Sequence, residues 1–330
     1  MRAGFAPYGG AGDGAGPDLS AGDKGLAGDL ADALVVGDML RDTGPAGGTA
    51  AFVLFGVDGR RMVTFDRGET WAVDQADVPQ TGDQERWLMG GAFSPTRVVL
   101  VGGPWNDPGG YVLHSQDGAS WAEAKITGSQ GPLDVAYGNG RFVTVNNVGD
   151  TCVSTDGTSW TQCQSTSLES GRGICFGQGK FFAAGDSGRI SVSTDGLSWQ
   201  GTELGGENLS AVACGSSSFV AVSSDRRVTT VDGTTAAKDE SGVNMGCCPA
   251  VAFGAGLFVD GGCNTSLNGK DWSPPAAPCS LKALAYGDGV FLAIDAAQGV
   301  RRSPDGKSWT SLGQIPAGPA LYHVSFVRFP

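Results

Sequence analysis

Histidine is nearly absent: the 330-residue chain holds only two, His114 and His323. Neither lies near the cysteines in sequence, and no two cysteines have the C-x-x-C spacing, so a zinc ligand set is missing. No run of 18 apolar residues occurs, which excludes a membrane-spanning helix and with it insertion of this chain into a bilayer. Positive charge is scarce too. Against 34 Asp and Glu there are 22 Lys and Arg, giving a formal net charge of -12 and a pI near 4.5. Such a surface repels phosphate backbones and anionic headgroups, so nucleic acid is not an expected partner. Nucleophile-elbow and phosphate-loop signatures are also lacking, and nothing in the sequence implies a cofactor.

What the chain has in excess is glycine, 55 of 330 residues, without the Gly-X-Y period of collagen. That is more than twice the roughly 7% norm, and it suits a fold made of many tight turns. The turns recur. Ser193-Thr194-Asp195-Gly196-Leu197-Ser198-Trp199 reappears as Ser154 to Trp160, and its Ser-x-Asp-Gly-x-x-Trp frame returns at Ser115 to Trp121 and Ser303 to Trp309. Ser266 to Trp272 carries Asn268 in place of the Asp, and Thr64 to Trp71 is one residue longer. The space between Trp199 and Trp272 is double the usual 36 to 39 residues, and Thr230 to Ala236 fills it with Ala where Trp belongs. Seven copies at a fixed period indicate a repeat architecture, hence one large domain.

Around each box the repeat reads as four short strands. The first ends in aromatic-Gly, as in Val135-Ala136-Tyr137-Gly138 and Leu284-Ala285-Tyr286-Gly287; the second is Phe142 to Val145 or Phe291 to Ile294. The third runs into the box and the fourth leaves it at the Trp, making an antiparallel meander. Seven such sheets bury their faces only by stacking around an axis, so the expected fold is an all-β, seven-bladed β-propeller of four-stranded blades. The amino-terminal repeat lacks a first strand, and Val324-Ser325-Phe326-Val327 is a first strand without a repeat. The carboxyl-terminal strand is therefore expected to complete the first blade and close the ring. Residues 1–50 are expected to be a flexible Gly/Ala/Asp-rich segment and 51–330 the propeller.

Within the box, Asp before Gly supports a tight turn, and the Trp is a plug able to lock one blade to the next. The motif resembles the Asp-box (BNR) repeat of sialidases, the sortilin-type receptor domain and several non-enzymatic propellers, over about residues 51–330. The resemblance implies that Asp66, Asp117, Asp156, Asp195, Asp232, Asn268 and Asp305 belong to structural hairpins remote from a central site. It also implies what sialidase chemistry would need: three carboxylate-binding arginines, an Arg-Ile-Pro type motif and a Tyr–Glu pair. The first blade offers Arg60-Arg61-Met62-Val63 and the chain only five tyrosines, so that activity is disfavoured.

The eight cysteines, an even number all between 152 and 279, point to disulfides in an oxidising compartment, hence a secreted, periplasmic or cell-surface location. Cys152 and Cys163 flank one box and are expected to bond across its hairpin. Cys263 and Cys279 flank another at longer range, while Cys175 and Cys214 hold nearly equivalent places in successive repeats. No signal-peptide pattern is present, so export implies a signal removed or replaced by Met1.

The turns between second and third strands carry Asp58, Asp107, Asp150, Asp186, Asp225, Asp260 and Asp295, read either as turn formers or as an acidic ring for a cation or basic partner. One blade is irregular. Its entry carries Glu85, Arg86 and Trp87, and its enlarged loop carries Trp105, Asn106 and Asp107; Trp87 and Trp105 are the tryptophans no box claims. Aromatic faces beside Asn, Asp and Arg suit sugar recognition, while plugging a blade gap is the plainer role. The expected function is a non-catalytic binding or assembly module for a glycan or protein at the cell surface. The alternatives are a glycoside hydrolase, with a carboxylate pair drawn from Glu85, Asp107, Asp134 and Asp150, and a structural subunit of a larger complex.

Overall fold

The computed structural model describes residues 48–77, 86–103, 109–128, 130–146, 148–165, 170–243, 245 and 249–330. Glu85, Trp105, Asn106, Asp107, Cys247 and Cys248, and the segment before Gly48, lie outside them. Seven antiparallel sheets stand in a ring. In blade 1, Leu321–Phe329 pairs with Thr49–Gly56, followed outward by Arg61–Thr64 and Val73–Gln75. The inner strands of blades 2 to 7 are Trp87–Ser94, Asp134–Gly138, Gly173–Gly177, Ala211–Cys214, Val251–Gly254 and Leu281–Gly287. Each inner strand touches the next around the axis, and that of blade 7 touches Leu321–Phe329. The ring thus closes through the carboxyl-terminal strand, as the surplus first strand in the sequence requires.

The second strands are continuous apolar runs because both their faces are covered by neighbouring blades. Val98, Val99, Leu100 and Val101 are all fully buried, as are Phe181, Phe182, Ala183 and Ala184. Outer strands, with solvent on one side, are polar: Gln200–Glu203 and Lys238–Ser241 are mostly exposed or half-buried. Blade 6 departs from the four-stranded expectation. It has three strands, Val251–Gly254, Leu257–Asp260 and Thr265–Ser266, and a lone bridge from Thr265 to Ser273 stands where the fourth should be. Pro274 and Pro275 follow immediately, and proline cannot donate to a ladder. The Cys263–Cys279 disulfide holds this segment covalently instead.

The other two disulfides fit their repeats. Cys152–Cys163 joins the third and fourth strands of blade 3, with Cα atoms 4.1 Å apart. Cys175–Cys214 links the inner strands of blades 4 and 5, with Cys214 in the slot that aromatics fill elsewhere.

Every box is the turn that follows the third strand, a hairpin to the fourth strand in six blades and to the Thr265–Ser273 bridge in blade 6. In blade 3 the Gly157 N–H donates to Ser154 Oγ (2.8 Å), while the Thr158 and Ser159 N–H groups donate to one Asp156 oxygen (2.8 and 2.7 Å). Asn268 serves equally, because the turn needs only an acceptor: Lys270 and Asp271 N–H groups reach its Oδ1 at 2.8 and 2.9 Å. The tryptophans sit in the seams between blades: Trp160 and Trp199 belong to clusters shared with blades 2 and 3, and Arg227 of blade 5 lies over Trp272 of blade 6. Within their own blades Trp160, Trp272 and Trp309 meet Phe142, Phe258 and Phe291 (6.3, 6.4 and 6.4 Å between ring centres). Trp121 also meets an aromatic of the preceding blade, Phe329 at 6.3 Å.

The close approach between blades is made by the box glycine. Each has positive φ, and each lies where an added Cβ would meet side chains of the blade before. For Gly68 those are Leu312 and Leu292 of blade 7, at 2.8 and 2.9 Å. Gly233→Ala should therefore cost about 1–3 kcal/mol, since the methyl would overlap Val192 of blade 4 as well as strain φ. Gly140→Ala, at φ 77° with nothing within 4 Å, carries the backbone strain alone and should cost less, about 1–2 kcal/mol. Paired urea titrations check the difference; equal costs would mean that blade contact plays no part.

The box carboxylates also set an acid limit. The Ser198 N–H and the Ser308 N–H hold Asp195 and Asp305 below the usual carboxylate range, and the Thr235 hydroxyl does so for Asp232. For Asp66 and Asp156 slight burial pushes upward, but hydrogen bonds from Thr70, and from Ser159 and Thr158, outweigh it. A folded-state pKa below the unfolded value stabilises above the unfolded pKa, about 3.9, and that stability is lost as pH falls through the folded one. Thermal midpoints should fall progressively below about pH 4. Asp195→Asn should flatten its own share of that fall, as Asn268 does naturally in blade 6.

Candidate binding site at the axial mouth

One end of the ring carries the turns between second and third strands and the connections between blades, and the boxes lie at the other. At the first end the turn acids do not form a free ring. Asp186 pairs with Arg172, Asp295 with Arg301 (2.7 Å), and Asp260 is fully buried against Arg227 (2.6 Å). Arginines here are fasteners. Arg60 grips Asp74 with two nitrogens (2.9 and 2.8 Å) and donates to the Pro316 and Pro319 carbonyls of the connection from blade 7. Arg226 repeats this with Asp239 and the Gly205 carbonyl of the connection from blade 4.

Of the irregular blade's predicted residues, Arg86 and Trp87 lie among the described ones. Arg86 is committed to the seam between blades 1 and 2. Its guanidinium sits over the Tyr111 ring at 4.7 Å and bonds Glu123 at 3.0 Å, with Asp77 at 3.7 Å. Asp77 is shared by Arg61 (2.9 Å) and the Tyr111 hydroxyl. Burial, then the neighbouring Asp77, raises the Tyr111 phenol above its ordinary range. This network is a seam between blades 1 and 2, and Arg86 is one of its members.

Trp87 faces the axis. Its ring stacks on Tyr322 of blade 1 (5.8 Å between centres, planes 7° apart), and it packs on Met89 and Leu133. Lys282 of blade 7 places its ammonium 5.9 Å over the Tyr322 ring. Met89 and Leu133 are buried, whereas Trp87, Tyr322 and Lys282 are half-buried. They make a small apolar cluster of their own, apart from the blade cores. Since Tyr322 covers part of the Trp87 face, the flat sugar platform expected there is reduced to ring edges. Tyr322 and Lys282 went unnoticed in the sequence. Their signal is position, four residues before the inner-strand aromatics Phe326 and Tyr286.

The hydrolase candidates fare differently. Glu85 and Asp107 lie outside the described residues. Asp134 is fully buried at the head of the blade 3 inner strand, where its two oxygens accept the N–H of Val135 (2.7 Å) and of Ile174 in blade 4 (2.8 Å). Burial pushes its carboxyl well above the usual range against those two bonds. One oxygen is spent on its own strand and the other on joining blades 3 and 4, so buried Asp134 is not an exposed acid or base. Among the described residues no group of three or more His, Cys, Asp or Glu is arranged to hold a metal.

The architecture is that of a seven-bladed β-propeller closed by its two chain ends. No family model matches the sequence, and no curated protein matches it. Solved structures do. The chain is similar to one in a crystal structure of a nidogen/laminin complex, with TM-score 0.54, 12% identity, and 84% of this chain and 98% of that one covered. It is similar to the WD40 β-propeller domain of Doa1, with TM-score 0.55, 12% identity, and 84% and 96% covered. It also resembles YCF48 from Cyanidioschyzon merolae, with TM-score 0.50, 17% identity, and 72% and 89% covered. At these identities the likeness shows the fold alone.

Proposed function

We propose that this propeller is a non-catalytic binding or assembly module, exported to an oxidising compartment, whose glycan or protein partner docks on the axial mouth. One observation carries the reading: the half-buried Trp87–Tyr322 stack beside Lys282, held by three different blades at the end where loops converge. Rigid aromatics with polar edges are the usual anchors of binding surfaces. Three disulfides among the described residues support export. The fold supports a binding scaffold, since Asp186, Asp295 and Asp260 at that end are held in ion pairs with arginines.

The test is the immobilised protein against a glycan array and a peptide display library, wild type beside Tyr322→Ala. A selective ligand whose binding falls at least tenfold in the variant is expected. No ligand on either platform, or one bound equally by the variant, would overturn the reading.

A further inference from the structure

The mouth has a built pattern that a list of loops does not reveal. At the head of the inner strands the ladder holds an extra residue. In blade 7, Leu281 and Ala283 face consecutive residues Asp295 and Ile294, leaving Lys282 over. In blade 1 the extra residue is Tyr322, between Leu321 and His323, and in blade 2 it is Met89, between Leu88 and Gly90. Blades 3, 4 and 5 share the device. Leu133, Arg172 and Ser210 donate their N–H to Val145, Ala184 and Val222, which are already opposite the following residues Asp134, Gly173 and Ala211. A bulge of this kind re-aims one side chain. Six blades thus present one residue each at the same level.

The order around the ring is Lys282, Tyr322, Met89, Leu133, Arg172, Ser210. An apolar arc over blades 1 to 3 is flanked by a cation on each side, and none of the six is acidic. In a chain of net charge -12 with 34 acidic residues, that is a local reversal of sign. Arg172 is engaged with Asp186, whereas Lys282 meets no carboxylate among the described residues and leans on Tyr322 alone.

Resting on the proposed function, we infer that the mouth recognises an acidic peptide segment of a protein partner, one apolar side chain flanked by carboxylates. The apolar side chain sits against the Tyr322–Trp87 edge over Met89 and Leu133, and a carboxylate takes Lys282. Surrounding negative charge then works as a filter. It slows the approach of acidic chains generally, so only a segment reaching the ring gains the contact.

The test uses three capped synthetic nonapeptides with one central phenylalanine flanked by glutamates, lysines or serines, titrated into the full chain while tryptophan fluorescence is followed. The glutamate peptide is expected to bind most tightly. Lys282→Glu should weaken it at least tenfold, and Lys282→Ala by less. Lys307→Glu, an exposed site at the opposite end of blade 7, should leave it unchanged. Thermal melts of each variant separate lost binding from lost folding. Preference for the lysine peptide, or equal loss in Lys282→Glu and Lys307→Glu, would overturn the inference. If no peptide binds while a glycan binds in a Tyr322-dependent way, the acidic-peptide inference falls and the binding-module reading stands. If nothing binds in either experiment, both fall.

Discussion

A chain that stops at Ala320 is expected to lose its cooperative unfolding transition altogether. The missing residues are the inner strand of blade 1, paired along its length with Thr49–Gly56. Leu321, Val324, Val327 and Phe329 are buried there at 2% exposure or less. At about 1.5–3 kcal/mol for each buried side chain, their loss approaches the whole stability of a typical domain, about 5–15 kcal/mol. The damage also spreads. Phe329 packs against Phe65 and Trp121, Phe326 against Phe52 and Phe93, and the Ser325 hydroxyl bonds the Gly91 carbonyl of blade 2. Without the strand, Thr49–Gly56 becomes an open apolar edge, the template for aggregation. Circular dichroism melts and gel filtration check this, and a synthetic peptide spanning 321–330 should restore the transition when added. A truncated chain that melts like the intact one would refute the idea that ring closure holds the fold.

The second large effect is expected at Asp260→Ala, a loss of about 3–5 kcal/mol. Asp260 is fully buried between blades 5 and 6 and accepts from Arg227 Nε and Nη2 (3.1 and 2.6 Å) and from the Gly262 and Asn264 N–H groups (3.0 and 2.9 Å). The Arg227 guanidinium lies 4.3 Å over the Trp272 ring. Removing the carboxylate leaves a buried cation with Glu240 at 3.9 Å as its remaining carboxylate, which costs far more than the pair contributes as a whole. The double variant Asp260→Leu, Arg227→Met should accordingly recover most of the loss. Denaturant titrations of the three proteins decide it. A double variant no more stable than Asp260→Ala would mean that the damage came from the turn and not from the orphaned charge.

Why Asp260 escaped the sequence reading is instructive. It resembles the other turn acids because Gly261 and Gly262 follow it, and local chemistry was all the sequence offered. The second strand of blade 6 ends one residue earlier than those of blades 3 to 5, however, so the same residue type falls inside the blade, in the register of Thr144. The repeat itself was legible because the box is stereotyped: seven glycine positions and a surplus strand define the number of blades and the closure. Cys152 and Cys163 were legible because a hairpin sets two neighbours opposite. The missing fourth strand of blade 6 had its sign in Pro274 and Pro275. At the mouth the sequence singled out Trp87 but not the Tyr322 and Lys282 beside it. Bulges shift a strand by one residue and leave no composition of their own, so Tyr322 and Lys282 look like ordinary members of alternating strands.

The pairing of the two ends has a directional consequence. Gly48 lies beside Phe329, and its carbonyl accepts a bond from Arg328 (3.1 Å). Both ends of the propeller therefore leave from the box side, opposite the ring of Lys282 and Tyr322. Whatever is joined to either end, a linker, an anchor or another domain, holds the molecule by its back. The mouth then points outward whichever end is held, and both ends can be tethered together without one crossing it.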